Sequence, residues 1–457
     1  MRYRLPGAAL ALVLLCAAGV APTAAKEDRG GAKGGIDKKT AAAIDAAIAK
    51  GRASLRAELP REAASAAMTY NHGDRKYPLA IGRLAFISLA LLESGCPPAD
   101  PELQRAWSRL RAEPPKATYD AGVSLMFAEA YLRSLNKGRR APVKDPAVRA
   151  WMQKTADYLA SGCYGGVWTY DCPGGTLGYP VAEDPKAPYR VGGVGEEETE
   201  PVEGGLDKVM AEMCAKNPYG GDHDHSNTQY AVLGLKAASL CGVKVKNARL
   251  LWRTVIQHFL QAQEASGPEV DLQLTREESK FKVTDYSTEA GPSRPRARGW
   301  AYSAAPTRNE IMASYGTMTA AGMTALIVAK SEVPDLNAHE STRCAVAVRD
   351  ALAWLQVHWS VEENPLGKSG MVYSPRAHYY HLYGLERVGV LTGVRALAGH
   401  PWYAEGAAVM MRQQKPDGSW GEATDRAPED FRVKTAFALL FLVRSTHEEY
   451  AVGEEKE

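Results

Sequence analysis

Apolar residues along this chain recur in two alternating kinds of stretch. The first is apolar nearly all round, rich in small residues and poor in charge: residues 78–94 (PLAIGRLAFISLALLES), 120–135, 226–241, 316–330, 378–391 and 432–444. A helix apolar on every face is buried on every face. The second kind is amphipathic. In 248–263, Leu251, Val255 and Phe259 recur at helical spacing while Arg249, Arg253 and Gln257 lie elsewhere, and comparable stretches run near 39–58, 102–111, 147–161, 343–359 and 403–413. Each amphipathic stretch precedes an all-round apolar one. Strand signals are nearly absent, so the expected class is all-α.

Six outer helices alternating with six inner ones fit an (α/α)6 toroid, an inner barrel of six inside a second layer of six. No pair buries its apolar face alone, so neighbours must stack, and closing the ring removes the exposed ends. An open solenoid is the lesser alternative. The toroid is expected over 39–448, after a leader (1–25) and a flexible tether (26–38) and before a charged tail (449–457). Two long loops interrupt the spacing, 171–221 with its acidic run Glu196-Glu197-Glu198-Thr199-Glu200, and 264–298. Loops of that length are functional lids or disordered; an acidic run alone reads as solvated surface.

The chain begins Met1-Arg2-Tyr3-Arg4, runs apolar from Ala8 to Val20, then reaches Pro22-Thr23-Ala24-Ala25 before Lys26. A basic start, a short apolar core and small residues before a polar stretch predict a secretory signal cleaved near Ala25, and a secreted or periplasmic protein. The apolar run falls short of the roughly 20 residues that span a bilayer, and no later segment reads as a transmembrane span. Charge is nearly balanced at +2, without a dense Lys/Arg block, which argues against a nucleic-acid partner. Beyond Cys16, Cys163 and Cys172 flank one loop and are candidates for a disulfide in an oxidising compartment. Cys96, Cys241 and Cys344 sit in or beside apolar helical runs and read as buried thiols. C-x-x-C zinc spacing is absent from the sequence, and no cofactor is expected.

The connections from outer to inner helix carry a repeated aromatic anchor: Gly165-Gly166-Val167-Trp168, Arg298-Gly299-Trp300-Ala301-Tyr302-Ser303, Gly370-Met371-Val372-Tyr373-Ser374 and Gln414-Lys415-Pro416-Asp417-Gly418-Ser419-Trp420-Gly421. Each is a turn that needs glycine dihedrals, followed by a ring that wedges between repeats. The segment from Gln414 to Trp420 resembles the Q-x-x-x-G-x-W repeat of squalene-hopene cyclases and the wider terpenoid-cyclase and protein-prenyltransferase superfamily. Asp224-His225-Ser226-Asn227-Thr228-Gln229-Tyr230 resembles repeat openings in its bacterial members. The resemblance implies the same helical toroid and a small apolar or extended ligand in its central cavity.

Two catalytic templates come with that resemblance. Class II terpene cyclases protonate an olefin with the middle acid of D-x-D-D, and the nearest string here is Asp222-His223-Asp224-His225, with His225 in place of the last acid. An acid that protonates an alkene needs neighbours that stabilise its anion, so the missing acid weakens cyclase chemistry. The alternative for Asp224 is capping of the helix that follows. In the prenyltransferases a distant His completes a zinc site; His381 resembles it in setting, but no D-x-C opens the preceding inner helix and no bound metal is expected. Near inner-helix starts, Asn227, Tyr315, Tyr379, Tyr383 and Glu386 are candidate ligand contacts, with Glu310 and Asp430 close by. They line either a cleft of stacking rings and paired carboxylates, as in carbohydrate-active toroids, or simply pack the barrel, Tyr379 and Tyr383 being one turn apart. A non-catalytic binding scaffold stays open as a third reading.

Overall fold

The computed structural model describes residues 36–65, 69–72, 75–78, 80–170, 172, 223–276, 283–303, 313–367, 377–422 and 430–451. The leader, Asp222, the acidic run, Glu310 and the anchor at Tyr373 lie outside them. The described residues are mostly helical and belong to one folded unit, Ala32–Glu457.

Among them are twelve helices of three turns or more: α1 Lys38–Ala64, α2 Ala80–Glu93, α3 Pro101–Ala112, α4 Thr118–Leu135, α5 Pro146–Gly162, α6 His225–Leu240, α7 Ala248–Ala262, α8 Gly316–Ser331, α9 Ala338–Val357, α10 His378–Thr392, α11 Trp402–Gln413 and α12 Phe431–Leu442. The even-numbered ones coincide with the all-round apolar stretches. In α6 every side chain from His225 to Ala238 is buried, and in α8 every one from Gly316 to Ala329. They pack in a closed cycle: α2 on α4, α4 on α6, α6 on α8, α8 on α10, α10 on α12 and α12 back on α2. Each odd-numbered helix lies against one or two members of that cycle, α1 for example between α12 and α2. Small residues let the inner backbones approach, and a Cβ on Gly122 would stand 2.4 Å from the Tyr230 carbonyl oxygen.

The anchors follow one bonding pattern. The indole N–H of Trp168, Trp300 and Trp420 donates to the carbonyls of Leu159, Phe259 and Met410, one turn before the end of the preceding outer helix, at 2.7, 2.9 and 2.8 Å. Their backbone N–H groups donate to the hydroxyls of Thr228, Thr319 and Thr435, one turn into the following inner helix. Each tryptophan thus ties an outer helix to its inner partner by two hydrogen bonds and a fully buried ring. Gln414 donates to the Ala47 carbonyl of α1, so the last connection grips the first helix.

Three features depart from the sequence expectation. Short strands are present: β1 (Thr69–His72) pairs antiparallel with β2 (Arg75–Pro78), and β3 (Leu274–Arg276), β4 (Val394–Leu397) and β5 (His400–Pro401) form a three-stranded antiparallel sheet. The described part of 264–298 is tied into the helical layer. It pairs through β3 with β4 and fastens to α9, where Arg298 meets Asp350 at 2.8 Å and Arg349 donates to the Ser293 carbonyl. That cover explains why α9, expected to be amphipathic, is buried from Cys344 to Leu355 at every position but Val346. Cys163 and Cys172 are both buried and carry no bond to each other. Burial pushes the thiols of Cys96, Cys241 and Cys344 up to about 11, 12 and 12, which keeps them protonated.

A buried aspartate among tyrosines at the start of an inner helix

Two extended segments flank the start of α6. Backbone bonds run from Asp224 N–H to the Trp168 carbonyl and from His225 N–H to the Tyr302 carbonyl. Both flanking segments read Trp-x-Tyr, and alternation along an extended chain sends Trp168 and Trp300 into the core and brings Tyr170 and Tyr302 back two residues later. The Tyr170 and Tyr302 hydroxyls lie 3.0 Å apart.

Asp224 is fully buried at their centre. It caps α6, one carboxylate oxygen accepting from the Asn227 backbone N–H at 2.6 Å and the other from the Asn227 side chain at 2.8 Å. Desolvation nevertheless pushes the carboxyl up to about 6, against the bonds from Asn227 and Tyr302 that favour its anion. The same desolvation, with Asp224 beside them, holds the Tyr119 and Tyr302 hydroxyls well above the usual phenol range. They therefore act as neutral donors. From Tyr119 a second chain leads inward: its hydroxyl donates to Ser226 Oγ at 2.6 Å, Ser226 meets the Tyr380 hydroxyl at 2.9 Å, Gln229 bonds the same hydroxyl, and Arg387 donates to Gln229 at 2.6 Å. Ring-to-ring contacts run beside it, Tyr119–Tyr230–Tyr380–Phe437, at centroid distances of 5.4, 6.0 and 5.2 Å.

The expected site residues separate. Asp224 and Asn227 belong to this site. His225 does not act on Asp224: its Nδ1–H donates to the Ala301 carbonyl at 2.7 Å, which leaves Nε2 to accept from His258 Nε2–H at 2.9 Å. Burial lowers His225 to about 4, so the pair is neutral. His381 is buried, where its imidazole packs over Gly316 and bonds the Ser360 carbonyl at 3.2 Å, away from the start of α6. Among the described residues no group of three His, Cys, Asp or Glu side chains is disposed to hold a metal.

Of the expected ligand contacts, Tyr315 is buried at the start of α8, its N–H donating to the Trp300 carbonyl. Tyr379 is half-buried beside His378. Tyr383 packs on Phe437 and under Arg387. Glu386 lies two turns into α10, where it accepts from Thr446 N–H at 3.0 Å and Thr446 Oγ at 2.6 Å in the C-terminal segment. Asp430 is spent as the cap of α12 and on Arg83 and Arg432. These two carboxylates therefore do not pair across a groove.

Sequence reasoning missed Tyr119, Tyr170, Tyr302, Ser226 and His258. The repeated Trp-x-Tyr was the available signal for two of the tyrosines. It also missed Asp120, a buried carboxyl in the first turn of α4 that accepts from Gly82 N–H at 2.7 Å and is pushed up by desolvation to about 7.

No known family profile matches the chain, and no curated protein matches it. Among solved structures, a variant of the type II terpene cyclase MstE from Scytonema, in complex with geranylgeranyl dihydroxybenzoate, is similar at 12% identity, covering 89% of this chain and 98% of that one, with a TM-score of 0.42. A second variant with the same substrate gives 11% identity over 90% and 99% of the chains, TM-score 0.42. The apo enzyme gives 12%, 89%, 98% and 0.40. At that identity and score the likeness bears on neither residues nor ligand. No helix among the described residues is long and apolar enough to cross a membrane.

Proposed function

We propose that the chain is an exported (α/α)6 toroid of the terpenoid-cyclase and prenyltransferase kind, and that it binds an apolar, extended, isoprenoid-type ligand at the start of α6. Asp224 is the proton-handling group of that site. The observation that carries the reading is a fully buried carboxyl, pushed up to about 6, among Tyr119, Tyr170 and Tyr302. Groups perturbed in this way cluster at functional sites. Tyr119 and Tyr302 are only half-buried, so their rings offer an apolar surface beside the acid.

The proton role follows from the bonding rather than from a D-x-D-D motif. Where the motif has its last acid, this chain has His225 bonded to His258, and Asn227 and Tyr302 serve the Asp224 anion instead. With a carboxyl at about 6 and both oxygens engaged, the acid is weaker than a free aspartic acid, so binding is the primary function. Asp224→Asn separates the roles, because asparagine caps a helix as well as aspartate does. The wild-type chain is expected to retain squalene or geranylgeraniol in native mass spectrometry. Asp224→Asn is expected to retain the same probe and to lose any conversion of it seen by gas chromatography. A wild-type chain that retains neither probe contradicts the reading.

The non-catalytic scaffold is favoured by one observation of its own. The ring-to-ring contacts from Tyr119 to Phe437 fill this level of the helix cycle with the chain's own side chains. That reading expects Asp224→Asn to leave every activity and every binding readout unchanged.

A further inference from the structure

Past α12 the chain turns at Arg444, a non-glycine residue in the left-handed region at φ +51°, and ends its described course in a 3₁₀ turn, Glu448–Ala451. The starts of neighbouring inner helices lie together, Gly82 beside Asp120 and Gly122 beside Tyr230, so their ends share the mouth opposite Asp224. Residues 443–451 cross that mouth. Thr446 N–H and Oγ donate to Glu386 of α10, and Ser331 Oγ, at the end of α8, donates to the Tyr450 carbonyl at 3.3 Å. His447 stands 3.8 Å from Glu93, the last residue of α2, and the Tyr450 ring lies 5.8 Å from the Arg140 guanidinium in the connection after α4.

Beneath this segment is a cavity of about 30 Å³, roofed by Ser445, Thr446, His447 and Tyr450. Leu89, Met126, Leu233 and Leu440, one from each of four inner helices, give it an apolar wall, and Glu93 and Glu129, both paired with Arg133, edge it. A cavity of roughly 150 Å³ is what holds a benzene ring, so the closed form admits no organic ligand. Two features make the roof separable from the helices. Among its described side chains only Tyr450 and Ala451 are buried, and few buried apolar contacts mark a unit of low local stability. The segment also rests on a void rather than on a filled layer, which forfeits dispersion contacts on its inner side.

We propose that residues 443–451 are a plug that swings about Arg444 and opens this mouth while the helices stay folded, uncovering the apolar wall beneath. The plug is independent of the role of Asp224. Hydrogen exchange of the full chain, read by mass spectrometry on peptides from 443–451 and from α8, tests it. The amides of Ser445, Thr446 and Tyr450 are hydrogen-bonded in the closed form, so their exchange reports opening. In the wild type they are expected to be less protected than the α8 amides by on the order of a hundredfold. Tyr450→Ala removes the one large buried side chain of the plug. It is expected to lower plug protection by a further factor of about ten and to leave α8 unchanged. The same variant binds 1-N-phenylnaphthylamine, a neutral dye that brightens on apolar surface, about tenfold more tightly, because the open form is that much more populated. Tyr450→Phe keeps the ring and behaves as the wild type in both measurements. Wild-type plug amides as protected as those of α8, a Tyr450→Ala variant that loses protection in both peptides alike, or unchanged dye affinity in that variant, overturns the plug.

Discussion

Three of the buried carboxyls on or capping inner helices, Asp224, Asp120 and Glu386, owe their character to partners that the local sequence does not show. Asp224 stood out by its motif, but what makes it unusual is its burial, between flanking segments whose Tyr170 and Tyr302 stand 54 and 78 positions away in the numbering. Asp120 carried no signal, since a lone acid in an apolar helix points to no particular partner. Glu386 was expected near the helix start, yet two turns of α10 carry it to Thr446. It offers the cleanest test of burial. Its carboxyl is raised from 4.5 to about 7, so between those values the folded chain holds a proton that the unfolded chain releases. Stability contributed by this group is therefore lost as pH rises from 4.5 to about 7 and is constant beyond. Gln keeps both bonds to Thr446, whose hydroxyl rotates to accept. Glu386→Gln is thus expected to stabilise by on the order of 3 kcal/mol at pH 9 and by nothing near pH 4, measured by urea midpoints. His225 acts with the opposite sign. Lowered by burial to about 4, it stays neutral in the fold while the unfolded chain protonates near 6.5, so its contribution is lost as pH falls through that window.

Among elements, the helices were legible because all-round apolarity and amphipathicity differ in period and composition, and each stretch is long enough to show it. The strands were not, because β4 and β5 are four and two residues long and β4 pairs with β3, more than a hundred positions distant in the numbering. The anchors were legible as aromatic residues in glycine turns, whereas the threonine that receives each tryptophan N–H was not read from the sequence. That pairing makes the tryptophans separable by chemistry. Trp420→Phe keeps most of the buried ring and leaves the Met410 carbonyl unpaired, at an expected cost of about 1–2 kcal/mol. Thr435→Val removes the acceptor of the other bond at a comparable cost. Gly418→Ala is harsher. The backbone there has φ +85° and a Cβ would stand 2.5 Å from the Lys50 carbonyl oxygen, so roughly 2–3 kcal/mol is expected from strain and displacement of α1. Denaturant melts of the three variants rank them.

For the molecule as a whole, the decisive feature is that the last inner helix returns to the first. An ion-pair cluster marks the seam: Arg432 of α12 meets Glu58 and Glu62 of α1 at 2.9 and 2.6 Å, and Arg83 of α2 meets Glu62 and Asp430 at 2.7 and 3.1 Å. Glu62 is buried, so Glu62→Ala leaves two arginines without it and is expected to cost about 3–5 kcal/mol. An open solenoid tolerates loss of its last repeat, because its units contact only their neighbours. A closed cycle does not. A chain ending at Gly421 is expected to lose cooperative unfolding altogether rather than to keep a smaller folded array, as read by calorimetry. The seam was legible only as a prediction of closure, since the charges that fasten it lie in α1, α2 and α12 with nothing in the local sequence to join them.

Native mass spectrometry of the full chain with squalene and with geranylgeraniol, wild type beside Asp224→Asn, tests most directly whether the rim around Asp224 is a binding site for an apolar, extended ligand. Retention of one of these by both proteins, with a wild-type affinity that changes between pH 5 and 7 and a variant affinity that does not, is the expected result. Failure of the wild-type protein to retain either probe at any pH contradicts it.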